Sequence, residues 1–233
     1  MDNFGYLSIA LLLLPIWLYI YLKARWLRLR MRNLGIYLAI LAILFEPLFI
    51  ADYWNPPPLF GIEGFYAVED FIFVVISTGI AISIFNFTFS IKYVKHYPRR
   101  KKLSVALSLG IILAFLTLNQ FLEVNSIFAF CYSVLVASLI IYLLRPDLIL
   151  PSLFSAIASM LIIISMYFII FNIFLTSYWE SYWRLAGTSY EYYLFNIPWT
   201  EYLYYFSIAT YISILYDFAS GTAKSREVKK SKN

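Results

Sequence analysis

The chain has almost none of the residues from which disulfide frameworks and metal centres are built. Cys131 is its only cysteine and lies in an apolar run, so disulfides and thiolate metal sites within one chain are excluded. The single histidine, His96, lies in a basic loop, which disfavours a histidine-based metal centre. We therefore expect neither a metal nor another cofactor.

Charge is also scarce. Only 13% of the residues are charged, 62% are hydrophobic, and the mean hydropathy is +0.76. A soluble domain is usually about half apolar and about a quarter charged, so this composition needs lipid around the outer surface of the protein. The 233 residues form one domain, because the apolar segments follow one another with short links.

Long apolar runs take the place of the missing charge. About 20 apolar residues, rising about 1.5 Å each, cross the hydrocarbon layer as a helix. We expect the first run to be a span and not a signal peptide, because it is long and its charges follow it. The sequence predicts an all-α, polytopic membrane protein with seven transmembrane helices, at residues 4–23, 34–53, 65–90, 103–122, 126–144, 148–175 and 198–218.

Basic residues cluster in alternate links between these spans. They are Lys23, Arg25, Arg28, Arg30, Arg32, Lys92, Lys95, Arg99, Arg100, Lys101, Lys102, Arg145, Lys224, Arg226, Lys229, Lys230 and Lys232. The opposite links carry Asp52, Glu63, Glu123 and Glu180, with Arg184 as the exception. The positive-inside rule then predicts an N-terminus outside and a cytoplasmic C-terminus. The basic runs could instead bind anionic lipid or RNA, but their one-sided distribution favours topology, and we expect no nucleic-acid partner.

Tyrosine and tryptophan are concentrated in the links that are predicted to lie outside. One interpretation is an interfacial aromatic belt, and the other is an entrance for a lipophilic ligand. The residues concerned are Tyr53, Trp54, Tyr178, Trp179, Tyr182, Trp183, Tyr190, Tyr192 and Tyr193.

The openings of spans three and seven resemble each other. Residues 67–73 (AVEDFIF) align without gaps with residues 198–204 (PWTEYLY), so Asp70 falls on Glu201. Upstream, Asp52-Tyr53-Trp54 corresponds to Ser177-Tyr178-Trp179. We predict two parallel three-helix repeats, spans 1–3 and 5–7, joined by span 4. The single transmembrane domain 1–222 then divides into repeat one (1–92), a connector (93–122) and repeat two (123–222), followed by a basic cytoplasmic tail (223–233).

Four carboxylates fall inside the predicted spans at similar depth. Glu46 lies late in span two, whereas Glu69, Asp70 and Glu201 lie in the first turns of spans three and seven. Intramembrane acids are costly and usually face the interior of a bundle, where they mark function. The same depth is predicted for the amides Asn119, Gln120 and Asn172.

Helix-start chemistry is the simpler explanation for some of these acids. An acid in a first turn favours the helix dipole, and Pro198 with Glu201 three residues later is an ordinary helix start. This explains neither Glu46, which precedes Pro47 within a span, nor the adjacent pair Glu69 and Asp70. Crowded carboxyl groups with little water favour a protonated form, which a general acid needs.

These motifs resemble those of the membrane-embedded lycopene cyclases of some bacteria, archaea and fungi. In that family each half carries a Pro-x-Glu-Glu type motif followed by aromatics at the start of a membrane helix. Residues 198–205 (PWTEYLYY) keep the proline, one acid and the aromatics, and residues 67–73 keep both acids. Residues 52–57 (DYWNPP) look like the acid-and-tryptophan loop of the family. Ala67 and Thr200 replace a proline and a glutamate, which indicates a divergent member.

The resemblance implies carotenoid biosynthesis in a prokaryotic cell membrane, by an intramolecular lyase or isomerase of the lycopene cyclase type. A carboxylic acid protonates a terminal double bond of a polyene, and a second carboxylate removes a proton after ring closure. Aromatic faces would stabilise the carbocation, by up to about 2 kcal/mol. The implied partners are a lipophilic polyene, the lipid bilayer, and either a second copy of the chain or other enzymes of the pathway. The implied catalytic residues are Glu46, Glu69, Asp70 and Glu201, and the implied substrate-binding residues are Phe71, Phe73, Trp199, Tyr202, Tyr204 and Tyr205.

Other functions of multi-span proteins remain open. A retinal protein needs a lysine in its last span, and none lies between Pro198 and Phe218. A proton-coupled transporter is compatible with repeats and buried acids, although only Asp217 lies near the inner end. A non-catalytic, opsin-like protein that binds carotenoid or lipid is the third alternative. Prenyl transfer is disfavoured, because the spans carry no paired aspartate-rich motifs.

Overall fold

Helices account for most of the described chain. The computed structural model describes residues 4–57 and 67–226, and within them eight α-helices follow one another. They are α1 (Gly5–Lys23), α2 (Arg28–Asp52), α3 (Ala67–Thr88), α4 (Lys101–Leu116), α5 (Ser126–Leu144), α6 (Ile149–Ile169), α7 (Tyr178–Tyr182) and α8 (Trp199–Ser220). Short π-helical turns extend α4 over Thr117–Phe121 and α6 over Ile170–Phe174, and a 3₁₀ turn, Pro146–Leu148, precedes α6.

Length and composition identify a multi-pass membrane protein. Among the described residues, six helices are long and apolar enough to cross a membrane, and these are α1 to α6 with the turns that flank them. The helix α8 has 22 residues but carries many tyrosines and serines. A seventh crossing by α8, the repeats and the orientation stay predictions.

The long helices run in alternate directions between two ends of the bundle. We call one the motif end, where Asp70 and Glu201 lie in the first turns of α3 and α8. There the Ser126 hydroxyl, at the start of α5, donates to Asp52 Oδ1 at the end of α2 (2.5 Å). At the opposite end the Arg100 amide, just before α4, donates to the carbonyl of Ala219 in the last turn of α8 (3.1 Å).

A two-stranded ribbon closes that opposite end, which we call the ribbon end. Strand β1 (Ile91–Lys95) pairs antiparallel with β4 (Thr222–Arg226). Gly221 ends α8 with a φ of +70°, and a Cβ atom there would lie 2.2 Å from the Tyr97 carbonyl oxygen, so only glycine fits. A second short ribbon joins β2 (Tyr193–Leu194) to β3 (Ile197–Pro198) before α8. The predicted tail therefore begins as a strand, and its residues 227–233, like Glu63, lie outside the described residues.

An ion pair is buried at the ribbon end. Arg30 Nη1 lies 2.9 Å from Asp217 Oδ1, and the guanidinium lies over the rings of Tyr93 and Tyr216 at 3.2 and 3.8 Å. The Thr222 hydroxyl also donates to Asp217 (2.7 Å). Burial and the nearby Asp217 raise the pKa of the Tyr93 hydroxyl, which therefore stays neutral. The acid at this end is thus held by a cation and a hydroxyl.

The motif helices α3 and α8 form the inside of the bundle. Helix α3 packs against α1, α2 and α6, whereas α8 packs against α5 and α6. In the most apolar stretch of each helix, 56% of the residues are buried in α3, but only 17% in α2 and 11% in α4. The helices α2 and α4 are therefore the most exposed of the long helices α1 to α6.

Candidate functional site

A cavity of about 240 Å³ lies in the middle of the bundle. Every long helix, α1 to α6 and α8, contributes to its wall, and most of the wall is apolar or aromatic. It extends from Tyr53 at the motif end to Tyr37, Ser108 and Tyr211 nearer the ribbon end. Such an elongated apolar chamber with few polar groups is typical of a site for a lipophilic molecule.

Two carboxyl groups from neighbouring helices meet in the wall of this cavity. Asp70, in the first turn of α3, is hydrogen-bonded to Glu46 of α2 and to the hydroxyl of Tyr6 of α1. A carboxylate only accepts hydrogen bonds, so a bond between two carboxyl groups needs a proton on one of them. Glu46 is buried, so this pair of carboxyl groups is enclosed within the protein.

The third carboxyl group of the cavity is surrounded by hydroxyl groups. Tyr53 donates a short hydrogen bond to Glu201 Oε1, and Tyr167 also bonds to the Glu201 carboxyl group. The Tyr53 hydroxyl lies 3.0 Å from Thr200 Oγ1, and the Tyr167 hydroxyl makes a short bond to Tyr205. Phenol donors around an acceptor are the arrangement that suits a carboxylate. Glu201 and the Glu46–Asp70 pair thus have different surroundings within one chamber.

Aromatic rings connect these two acidic groups. The ring of Phe73 packs against Tyr6 at 5.0 Å and against Tyr205 at 6.0 Å between centroids. On the other side Tyr204 packs against Phe130 at 5.6 Å. Phe73, Phe130, Tyr204 and Tyr205 all face the cavity, so ring faces lie between and around the acids.

Packed aromatic residues cover the motif end of the chamber. Trp54 lies 4.9 Å from Trp179 and 5.6 Å from Tyr178 between ring centroids. Its backbone forms an isolated β-bridge with Trp183, and the Arg184 amide donates to the Tyr53 carbonyl oxygen (2.9 Å). Several aromatics of the predicted outer links therefore form a lid above the carboxyl groups.

The structure brings together three of the four predicted acids. Glu46, Asp70 and Glu201 line the cavity. Glu69 is buried beside Asp70 but lies outside the cavity wall. The residues of the two motifs that align with one another, Asp70 and Glu201, thus face one chamber.

Of the six aromatic residues that were predicted to bind substrate, three line the cavity and three do not. Phe73, Tyr204 and Tyr205 line the cavity, whereas Phe71 lines a separate groove between α1 and α3. The indole of Trp199 donates to the Tyr190 carbonyl oxygen (3.0 Å). The Tyr202 hydroxyl donates to the Leu194 carbonyl oxygen (2.9 Å). These two side chains hold the segment before α8.

The amides that were predicted at the depth of the acids form hydrogen bonds that hold the links between helices. Asn119 donates to Asp52 Oδ2 at 3.2 Å and to the Val124 carbonyl oxygen at 3.0 Å. Gln120 bonds to Asn119 at 2.5 Å. Asn172 donates to the Phe195 carbonyl oxygen at 2.8 Å. None of the three amides is in the cavity wall that the described residues form.

Three tyrosines touch the acids although the sequence predicted no such contact for them. Tyr6 and Tyr167 lie in spans with no acid of their own, and the chain has 21 tyrosines, so nothing distinguished these two. Tyr53 had one signal, because it directly follows Asp52 in the stretch that corresponds to Ser177-Tyr178-Trp179.

Comparison with known proteins agrees with the motifs. No curated protein and no solved structure matches the chain. A family model described as lycopene cyclase matches residues 125–219, which run from just before α5 to the last turn of α8 and include Tyr167, Glu201 and Tyr205. The match confirms the resemblance to that family for the second motif, residues 198–205, whereas residues 52–57 and 67–73 lie outside it. Over residues 125–219, this chain carries the sequence pattern of the lycopene cyclases.

Proposed function

We propose that this protein cyclises an end group of an acyclic polyene by protonation within the membrane. The observation that carries the proposal is the position of Asp70 and Glu201, which line one aromatic cavity together with Glu46. Cyclisation of this kind moves one proton in and one proton out, without a change in oxidation state. The chamber offers a proton-bearing carboxyl pair and a separate carboxyl acceptor for these two steps.

In this proposal the Glu46–Asp70 pair is the proton donor. At least one of these two carboxyl groups carries a proton, because they are hydrogen-bonded to each other, and in this proposal both are protonated before the reaction. The proton goes to the less substituted carbon of the terminal double bond, and the tertiary cation that forms closes a ring by attack of a second double bond. After transfer the pair retains one negative charge next to the Tyr6 hydroxyl, which can donate to it.

Glu201 is the proposed base that ends the reaction. Its carboxylate would remove a proton from a carbon beside the ring cation, which re-forms a double bond and restores a neutral product. Tyr53 and Tyr167 hold the carboxylate in place through their hydroxyl groups. Phe73, Tyr204 and Tyr205 offer ring faces to the cation, an attraction worth up to about 2 kcal/mol in a site without water.

One chamber replaces the two half-sites that a repeat suggests. The acids of the two motifs line the same cavity, so a polyene with two equal ends presents one end at a time. We infer that a two-ended substrate leaves and returns between rings. Because α2 and α4 are the least buried of the helices around the cavity and the motif end is covered by aromatics, the polyene enters between α2 and α4 from the lipid.

The proposal includes a membrane arrangement. We propose that α8 is the seventh span, that α1–α3 and α5, α6 and α8 are parallel repeats, and that the ribbon end faces the cytoplasm. Helix α3 packs against α1 and α2 as α8 packs against α5 and α6, which supports the repeats. The basic residues around Arg30, Arg100 and Arg145 lie at the ribbon end, which supports the orientation.

A proton-coupled transporter fits these contacts less well. A transporter needs titratable groups that connect the two faces. Here Asp217, the acid nearest the ribbon end, is bound by Arg30 and Thr222. The acids of the cavity stay at the motif end, which suits chemistry at one depth.

Expression of the chain in a bacterium that accumulates lycopene tests the proposal. We expect cyclic carotenoids from the unchanged chain and at least about 100-fold less from Glu201→Gln, because general acid–base catalysis contributes about 10²–10⁴-fold. Glu180→Gln, an equal change at an exposed position of α7, is the matched control and keeps the product. Unchanged lycopene beside a membrane-inserted, folded protein would contradict cyclisation of this substrate.

A further inference from the structure

The cavity continues well beyond the carboxyl groups. Along α8 its wall runs from Glu201 to Tyr211, ten residues that rise by about 15 Å. Between them the wall is made largely of apolar side chains such as Ile111, Ile208 and Ile212. A molecule with one end at Glu201 therefore passes an apolar stretch before it reaches Tyr211.

Hydroxyl groups of α8 and α4 meet at this far part of the wall, and α2 contributes a tyrosine to it. The Tyr211 hydroxyl of α8 lies 2.9 Å from Ser108 Oγ of α4. Ser108 Oγ lies 3.1 Å from the Ser104 carbonyl oxygen, to which it donates. Tyr37 of α2, whose side chain is about half exposed, also lines the cavity. These three residues, Tyr37, Ser108 and Tyr211, are called the distal hydroxyl group below.

The hydrogen bonds of this group leave a defined set of donors and acceptors. Because Ser108 donates to Ser104, it accepts the proton of Tyr211. The Tyr211 oxygen can then accept a further bond, and the Tyr37 hydroxyl can donate one. A group that both donates and accepts a single bond satisfies both, and an alcohol is such a group. A charged group would be costly in this apolar wall.

We propose that the distal hydroxyl group is a specificity subsite that binds the alcohol group of an acyclic isoprenoid. The terminal double bond of the same molecule then lies at Asp70 and Glu201, about 15 Å away along the helix axis. This inference rests on the proposed function for the choice of an isoprenoid as the ligand, but its test measures binding alone. The alcohol thereby orients the molecule, so that the double-bond end reaches the acids first.

The competing explanation is that Tyr211 and Ser108 only clasp α4 to α8. The protein contains a matched clasp, in which the Tyr142 hydroxyl of α5 lies 2.6 Å from Ser152 Oγ of α6. Neither Tyr142 nor Ser152 is among the described residues that line the cavity. Tyr142→Phe therefore removes a helix clasp of the same chemistry without altering the chamber.

Ligand affinity of the full chain, purified in detergent, tests the subsite. Geranylgeraniol and the hydrocarbon of the same chain that ends in a methyl group are titrated, and each affinity is taken from the rise in unfolding temperature. We expect the unchanged chain to bind the alcohol about tenfold more tightly, which is the value of one typical hydrogen bond. Tyr211→Phe reduces this preference to about twofold or less, whereas Tyr142→Phe keeps it.

Each outcome separates the subsite from the clasp and from the proposed reaction. If Tyr211→Phe keeps the preference for the alcohol, or if Tyr142→Phe loses it equally, the subsite is refuted. If Tyr211→Phe does not fold, Tyr37→Phe takes its place with the same expectation, because it removes the hydroxyl that donates to the alcohol. Glu201→Gln should lose cyclisation and keep the preference. A preference without cyclisation by the unchanged chain would contradict only the reaction, and cyclisation without a preference would contradict only the subsite.

Discussion

The two ends of the bundle treat buried acids in opposite ways. At the ribbon end Asp217 is bound by the Arg30 guanidinium and the Thr222 hydroxyl. At the motif end the partners of Asp70 and Glu201 are phenols and another carboxyl group, and these acids face a cavity. An acid paired with a cation belongs to a structural ion pair, whereas an acid that meets hydroxyl groups and another carboxyl group in a cavity is available to a bound molecule. The difference in partners indicates that Asp70 and Glu201, and not Asp217, are the candidates for catalysis.

Removal of an acid at the motif end should have the largest effect on activity. Asp70→Asn keeps the size of the side chain but removes the proton shared with Glu46, so we expect at least about 100-fold less cyclic product per folded protein. The unfolding temperature should stay nearly constant, because an amide still bonds to Glu46 and Tyr6. Pigment analysis and thermal unfolding in the same membranes measure both quantities. A large loss of stability with normal specific activity would reverse the comparison.

The same change at the ribbon end should act on stability. Asp217→Asn leaves the buried Arg30 without its counter-charge, which costs about 3 kcal/mol of unfolding free energy. Cyclic product per folded protein should change less than about twofold, since Asp217 is remote from the cavity acids.

A double variant checks the cause of that loss. In Asp217→Asn combined with Arg30→Gln, both charges are gone, and we expect roughly half of the stability to return. If the double variant is as unstable as the sum of the two single variants, the ion pair is not the source of the effect.

A smaller effect is expected from a tyrosine that holds an acid. Tyr53→Phe removes the hydroxyl that donates to Glu201, and we expect a loss of about tenfold in rate, the value of one hydrogen bond to a charged group. The measurement is the initial rate in membranes with equal amounts of folded protein. No change in rate would mean that Tyr167 alone is sufficient to position Glu201.

The smallest effect should come from Tyr202, a motif tyrosine that lies outside the cavity wall. The Tyr202 hydroxyl donates to the Leu194 carbonyl oxygen outside the cavity, so Tyr202→Phe should alter the rate less than about twofold and stability by about 0.5 kcal/mol. Tyr205→Phe is the matched comparison, because Tyr205 lies in the cavity wall and bonds to Tyr167. If both variants behave alike, a position in the cavity does not distinguish the motif aromatics.

Much of the fold was accessible from the sequence, and the reasons are physical. Apolar runs of membrane length predicted α1 to α6 closely, although α2 begins at Arg28, because its basic first turns are still helical. The β1–β4 ribbon at the ribbon end was not predicted. Residues 91–95 (IKYVK) read as part of a basic loop, and their partner strand follows α8 far along the chain. A pairing of such distant segments leaves no local signal in one sequence.

The sequence predicted those residues of the site whose burial in a membrane costs much free energy. Glu46, Asp70 and Glu201 were identified because charge inside a span is costly, and all three line the cavity. Tyr6 and Tyr167 were not identified, because tyrosine is tolerated throughout such a chain. Whether Phe71, Trp199 or Tyr202 would face the cavity depends on the rotation of α3 and α8, which a motif does not define. Packing against α1 and the β2–β3 ribbon decides it.

The ribbon at the end of α8 also determines the order of events during biosynthesis. Strand β1 leaves the ribosome after α3, but its partner β4 is made only after every span has been synthesised. Until then the Thr222 hydroxyl and carbonyl, which bond to Asp217 and Arg145, are missing from the nascent protein. Assembly of this end therefore waits for residues 222–226, and a stop codon before Gly221 would release a bundle whose buried charges at this end are only partly satisfied.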